Sequence, residues 1–92
     1  MSNDKGQMSN EGIRNEVRAL VAKIVKLPEE KVNFDADLFS DLNVDSLVGM
    51  EIFAALDKRY AIVVPEDRLR ELNTLDDLAK LVAQLLAGKN KP

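Results

Sequence analysis

The chain has 92 residues, 46% of them apolar and 32% charged, with 13 Lys+Arg against 16 Asp+Glu for a formal net charge of −3. That length fits one domain. With neither Cys nor His, it can form no disulfide, no thiolate or imidazole metal site, no Cys nucleophile and no Ser-His-Asp triad. The mildly acidic balance and the 4% aromatic content without Trp argue against nucleic acid, an anionic membrane surface and base-stacking platforms.

Residues 1–9 are polar and aperiodic and lack the apolar segment of a signal peptide, so a disordered leader is expected there. No apolar run approaches the roughly 20 residues of a bilayer span, and a cytoplasmic location is expected. Ile13, Val17, Leu20, Val21, Ile24 and Val25 recur at helical spacing and predict a first helix over 10–26. Ser9 or Asn10 can cap its start, and Leu27-Pro28 ends it, because a residue before proline is pushed out of the α region. The connection from Pro28 to Val44 carries Val32, Phe34, Leu38, Phe39 and Leu42, too many apolar residues for a solvated linker, so it must pack on the core. Asp45 is a good N-cap for a second helix over 45–60 with Ser46 at its first position. Gly49 within that helix costs about 1 kcal/mol relative to Ala. Ala61–Val64 has no partner strand and is read as an extended connection. Pro65 then starts a short third helix reaching Leu72. Thr74 opens the last helix, with Asp77 three residues on as a capping box and Leu75, Leu78, Val82, Leu85 and Leu86 as its apolar stripe. Gly88 is placed as the residue after its end, giving a domain over 10–87 and a flexible tail over 88–92. The expected fold is all-α: a small four-helix bundle of three longer helices and one short third helix, with a long loop between the first two.

Constellations for catalysis fail quickly. Sixteen acids in 92 residues produce close carboxylate pairs by chance, and the glycines at 6, 12, 49 and 88 never cluster into a phosphate loop. An EF-hand started at Asp35 finds Asp37 and Asp41 in register. It then meets Phe39, Ser40 and Ser46 where a ligand, a glycine and a bidentate glutamate are needed, so no metal is expected. Between Lys31 and Lys58 the chain has no basic residue, while Asp35, Asp37, Asp41, Asp45, Glu51 and Asp57 all lie there. This is either a solvated acidic face complementing the positive start of the second helix or a landing surface for basic partners. Ser46 is likewise either an ordinary helix-start serine or a hydroxyl presented at a helix mouth. The chain holds no base to activate it, so it is no self-sufficient nucleophile. It could accept a modification from another enzyme, and a phosphodiester there would meet the free N–H groups of the helix start.

The run Asp41-Leu-Asn-Val-Asp-Ser-Leu47, followed by Met50-Glu51-Ile52, resembles the attachment motif of acyl carrier proteins, D-L-G-x-D-S-L-x-x-x-E. The likeness extends from about Ile13 to Leu86 and takes in Val32, Asp35, Ala55-Leu56, Tyr60, Val64-Pro65 and Thr74-Leu75. It implies that a phosphopantetheinyl transferase attaches 4′-phosphopantetheine from coenzyme A to Ser46, with Asp45 and Leu47 beside it. The arm's thiol then carries acyl thioesters to a ketosynthase, reductase, dehydratase, acyltransferase or ligase, and the chain supplies no catalytic residue. A free-standing monomeric carrier is implied. By position, the resemblance makes Asp41, Leu47, Met50, Glu51 and Ala54 partner-docking residues and Ile52, Phe53 and Leu56 core. It lines a shallow acyl pocket with Phe39, Leu56, Val64, Leu69 and Leu72, residues that serve equally as ordinary core.

Asn43 stands where the family usually has Gly, and Val48 where common fatty-acid carriers have an acid. Lys58 and Arg59 end the second helix where those carriers are acidic, while Arg68 and Arg70 enter the third. These differences point away from a generic fatty-acid synthase and leave room for a dedicated pathway, with fatty acid, polyketide and specialised lipid biosynthesis all open. Asp45 in place of His points to acyl or polyketide rather than peptidyl cargo. The rival reading is an unmodified helical adaptor acting through the second helix. An acid-dependent hydrolase is disfavoured by the missing His and Cys.

Overall fold

The computed structural model describes residues 10–89. Its order is α1 (Asn10–Val25), a 3₁₀ turn (Glu29–Lys31), α2 (Ser46–Tyr60), a second 3₁₀ helix (Glu66–Glu71) and α3 (Leu75–Lys89). Among the described residues there is no strand, and a single isolated bridge joins Asp37 to Thr74. The four-helix arrangement with a short third member is the one expected from periodicity. Ser9, proposed as a cap, and the leader residues 1–9 lie outside the described residues.

One core serves all elements. Ile13, Val17 and Val21 from α1, Ile52, Phe53 and Leu56 from α2, and Leu75, Leu78 and Val82 from α3 are all buried. Val32, Leu38 and Leu42 from the long connection join them, which is why that connection cannot be a solvated linker. Leu20, Ile24, Val25, Leu85 and Leu86 pack at the margin rather than inside.

Three boundaries differ from the sequence reading. α1 stops at Val25 because Lys26 turns left-handed (φ 64°) and Leu27 N–H reaches back to the Ala22 carbonyl at 3.0 Å. This six-to-one closure ends the helix before Pro28 can act. The short third helix is 3₁₀ rather than α and begins after Pro65: Arg68 N–H bonds the Pro65 carbonyl at 3.1 Å and Leu72 N–H the Leu69 carbonyl at 3.2 Å. Six residues make too few turns to stabilise an α-helix. Gly88 does not terminate α3, which continues through it to Lys89. A β-carbon at Gly88 would meet nothing within 4 Å, so no packing contact forces a turn there.

The ends of the elements are tied by short polar contacts. Thr74 Oγ1 accepts the Asp77 N–H at 3.2 Å while Asp77 Oδ2 accepts those of Asn73 and Thr74 at 2.9 and 3.1 Å, a completed capping box. Across the α1–α2 seam, Glu16 Oε1 accepts from Arg59 Nη2 and from the Tyr60 hydroxyl, both at 2.9 Å. The Arg14 guanidinium lies 4.1 Å from the Phe34 ring centroid and pairs with Asp76 at 3.2 Å.

Candidate attachment site at the start of α2

The backbone that delivers Ser46 is fixed from both sides. Upstream, Asp37 Oδ1 accepts the N–H groups of Phe39 and Ser40, both at 2.9 Å, and Asp41 Oδ2 accepts the Asp37 N–H at 2.8 Å. Leu38 N–H bonds the Asn73 carbonyl at 2.8 Å, Leu75 N–H that of Ala36 at 3.1 Å and Asp76 N–H that of Phe34 at 2.9 Å. The loop is therefore stitched to the start of α3. Asn43 takes φ 59°, the left-handed conformation that asparagine reaches with little strain. Val44 N–H then closes on the Leu38 carbonyl at 2.9 Å.

Asp45 caps α2 as expected, its Oδ1 accepting the Val48 N–H at 2.8 Å while its carbonyl takes the Gly49 N–H at 2.8 Å. Ser46 is the first helical residue and is exposed. The backbone N–H groups of Ser46 and Leu47 have no partner among the described residues. An exposed hydroxyl, two free N–H donors and the positive end of a 15-residue helix fit a phosphodiester. The Asp45 carboxylate is committed to the cap, and among the described residues no base is hydrogen-bonded to the Ser46 hydroxyl.

α2 separates two faces. Ile52, Phe53, Leu56 and Tyr60 are buried, whereas Leu47 is 71% and Met50 45% exposed. Glu51 and Ala54 are exposed beside them. Asp41 is exposed too, but its carboxylate is occupied by the loop. Of the acids around Ser46, Asp37 and Asp41 hold backbone N–H groups in the preceding loop, Asp45 holds the Val48 N–H at the start of the helix, and Asp57 holds the Val64 N–H at 3.0 Å near its end. The acidic map is thus largely a set of turn and cap acceptors. Glu51 and Asp35 are the members with no such commitment among the described residues. The two hydrogen bonds, from Ser40 first and then Phe39, hold the Asp37 carboxyl below its ordinary value.

The five residues assigned to an acyl pocket do not share one environment. Leu56, Val64 and Leu72 are buried core. Leu69 is half-buried and packs against that core from the 3₁₀ helix. Phe39 is a correction: it is 38% exposed rather than packed inward, because the turn pinned by Asp37 sends Leu38 to the interior and the next side chain outward. Sequence reasoning treated Gly49 only as a helix penalty. Yet Gly49 is buried, and a β-carbon there would stand 2.6 Å from Leu69 Cδ2. The signal was a glycine one turn after Ser46, on the side facing the third helix.

Helical bundle, capped helix start and exposed α2 face together define a class of small helical proteins that present one serine hydroxyl beside an apolar surface strip. Residues 15–82 match the family described as "Phosphopantetheine attachment site". An acyl carrier protein from Streptomyces coelicolor is 36% identical over 75 residues, covering 80% of this chain and 82% of that protein. A polyketide-8 synthase acyl carrier protein 2 from Streptomyces avermitilis is 34% identical over 73 residues, covering 79% and 84%. Among solved structures, the HMG-ACPI domain from the CurA module of Lyngbya majuscula superposes with a TM-score of 0.80 at 24% identity, covering 99% of this chain and 91% of that one. The chain belongs to the acyl carrier protein family, and its function is that of a phosphopantetheine carrier. Among the described residues, no helix is long and apolar enough to cross a membrane.

Proposed function

We propose that Ser46 is the residue that receives 4′-phosphopantetheine, and that the protein carries acyl thioesters between separate enzymes of fatty acid, polyketide or specialised lipid biosynthesis. The observation that carries this reading is the exposed Ser46 hydroxyl at a capped helix start where the N–H groups of Ser46 and Leu47 have no partner among the described residues. In the transfer, the Ser46 oxygen forms a bond to phosphorus, the pyrophosphate bond of coenzyme A breaks, and adenosine 3′,5′-bisphosphate leaves. The transferase takes the serine proton, since the neighbouring carboxylate is engaged in the cap. The attached arm supplies the thiol that a chain without Cys lacks. No catalytic residue is assigned to the chain itself, and it works as a monomer in the cytoplasm, where a thiol cargo stays reduced.

Leu47, Met50, Glu51 and Ala54 form the docking face, an apolar strip with one free acid that suits partners with an apolar pocket and a basic rim. Leu56, Val64 and Leu72, with Leu69 above them, are the walls an acyl chain would meet. Replacing Met50 by glutamate puts a charge on that strip, so Met50→Glu lowers kcat/KM with a partner enzyme about tenfold, equivalent to about 1.4 kcal/mol. Its Tm stays within about 2 °C, because the side chain is outside the core. An unchanged kcat/KM removes Met50 from the face.

Intact mass after incubation with coenzyme A, magnesium and a broad-specificity transferase tests the attachment. One added phosphopantetheine in the parent chain and none in folded Ser46→Ala is expected. The exposed Leu47 and Met50 would also serve an unmodified adaptor. That second reading gains if the parent stays unmodified under its own host's transferase.

A further inference from the structure

The apolar face of α1 is wider than the core it covers. Ile13, Val17 and Val21 are buried, but Leu20 and Ile24 on the neighbouring stripe are only half-buried. With Ala19 of the same helix and Ala55 of α2, also half-buried, they line a groove of about 670 Å³ between α1 and α2. The groove takes no lining residue from the 3₁₀ helix or α3. Glu51 borders it and also belongs to the exposed face beside Ser46, so the groove continues that face around α2.

The rim is charged, and its charges are not all spent. Where Glu16 meets Arg59 the two satisfy each other at 2.9 Å. Lys23 and Lys26 are exposed and form no ion pair among the described residues, and Glu51 is the one uncommitted acid. Two free cations against one free acid make this rim favour a negative partner, the reverse of what the acids around Ser46 favour. The apolar lining sets the partner's backbone. Mid-helix peptide groups of α1 and α2 are bonded within their helices, so a loop or strand laid on Leu20 and Ile24 would leave its own peptide groups unmet. A helix brings them already paired, and the small Ala19 and Ala55 let it approach closely. From Glu16 to Val25, α1 runs for about 14 Å, room for about three turns of such a helix. A second copy of this chain fits less well, because a two-fold contact through the groove would set Lys23 and Lys26 against their own twins.

We propose that the α1–α2 groove is a second docking surface, which takes an amphipathic helix of a partner protein. Its apolar residues, at i, i+3 or i+4 and i+7, seat on Leu20, Ile24, Ala19 and Ala55, and its carboxylates pair with Lys23 and Lys26. Three turns bury less than the roughly 1,200 Å² of a stable complex, so the contact is transient, as suits a protein that must leave each partner. The groove does not depend on Ser46 carrying an arm.

The test uses the unmodified full chain and lactam-stapled helical peptides of about three turns. Two share one leucine stripe and are flanked by glutamates or by lysines; a third carries the glutamates with serines in place of the leucines. Amide NMR shifts on titration give both place and affinity. The leucine–glutamate peptide should shift the amides of Ala19, Leu20, Lys23, Ile24 and Ala55 and bind about fivefold or more tightly than its lysine counterpart, with affinity falling as salt rises. In Lys23→Glu/Lys26→Glu, whose changes lie on exposed side chains, the preference between the two should reverse. The serine peptide should leave the spectrum unchanged. Four results would overturn the proposal: no shifts with the leucine–glutamate peptide, shifts confined to Leu47 and Met50, equal binding of both flanks, or a serine peptide that binds as well. Shifts of the same groove amides on concentrating the protein alone would give the groove to a second copy and equally overturn it.

Discussion

Between Lys26 and Asp45 the chain runs for most of its length without regular helix, yet its path is held by side-chain carboxylates and by backbone bonds to the start of α3. Between Ala61 and Thr74 the return path is held differently. One carboxylate, Asp57, takes the Val64 N–H, and the rest is chiefly apolar contact and bonds between near neighbours. The first connection places the serine, so its geometry is fixed by directional bonds. The second borders the space beside the serine, and apolar contacts let it yield without breaking hydrogen bonds.

The widest gap between the two connections should appear on truncation. Leu38 is 1% exposed and anchors the first connection, so Leu38→Ala is expected to cost about 2–5 kcal/mol by urea unfolding. Leu69, half-buried on the second, should cost clearly less, about 1–2 kcal/mol. Equal losses would erase the distinction. A smaller effect is expected where the connections meet: Thr74→Ala removes the cap of α3 and should cost about 1 kcal/mol, read from the same unfolding curves.

Acid should act at the fixed side. Hydrogen bonds from Ser40 and Phe39 lower the Asp37 carboxyl, and those from Thr74 and Asn73 lower that of Asp77. A carboxyl depressed in the folded state contributes stability that is fully present above the ordinary value of 3.8 and is lost as pH falls through the folded value. The urea midpoint should therefore be flat between pH 7 and 5 and fall below pH 4, and Asp77→Asn should blunt that fall. At the far end of α2, burial and then the bond to Glu16 push the Tyr60 hydroxyl up to about 12. Its contribution is present below pH 10 and is lost as pH rises toward 12. The smallest effect is a gain: Ala61 ends α2 at φ 55°, where glycine is unstrained, so Ala61→Gly should add about 0.5–1 kcal/mol.

Much of this was legible in the residues. The apolar spacing of Ile13, Val17 and Val21, the Asp45 cap and the Thr74–Asp77 box are local patterns, and local patterns survive folding. The long connection was known to pack from its composition, but which of two adjacent residues turned inward was not. Leu38 and Phe39 are both apolar, and only the Asp37 turn separates them. The left-handed ends at Lys26 and Ala61 were invisible because neither residue advertises positive φ as glycine does. The meaning of Gly49 depended on Leu69, twenty positions away in sequence, and no periodicity links them. The acids around Ser46 were counted correctly, but their commitment to backbone N–H groups emerges only when the loop closes.

The central claim is that Ser46 alone carries the arm. Trypsin cuts after Lys31 and Lys58 and nowhere between, releasing residues 32–58, whose only hydroxyl side chains are Ser40 and Ser46. Fragmentation of that peptide after transferase treatment should place one phosphopantetheine on Ser46, with Ser40 unmodified. An arm on Ser40, on any residue outside 32–58, or on none while a control carrier is loaded, would contradict the account.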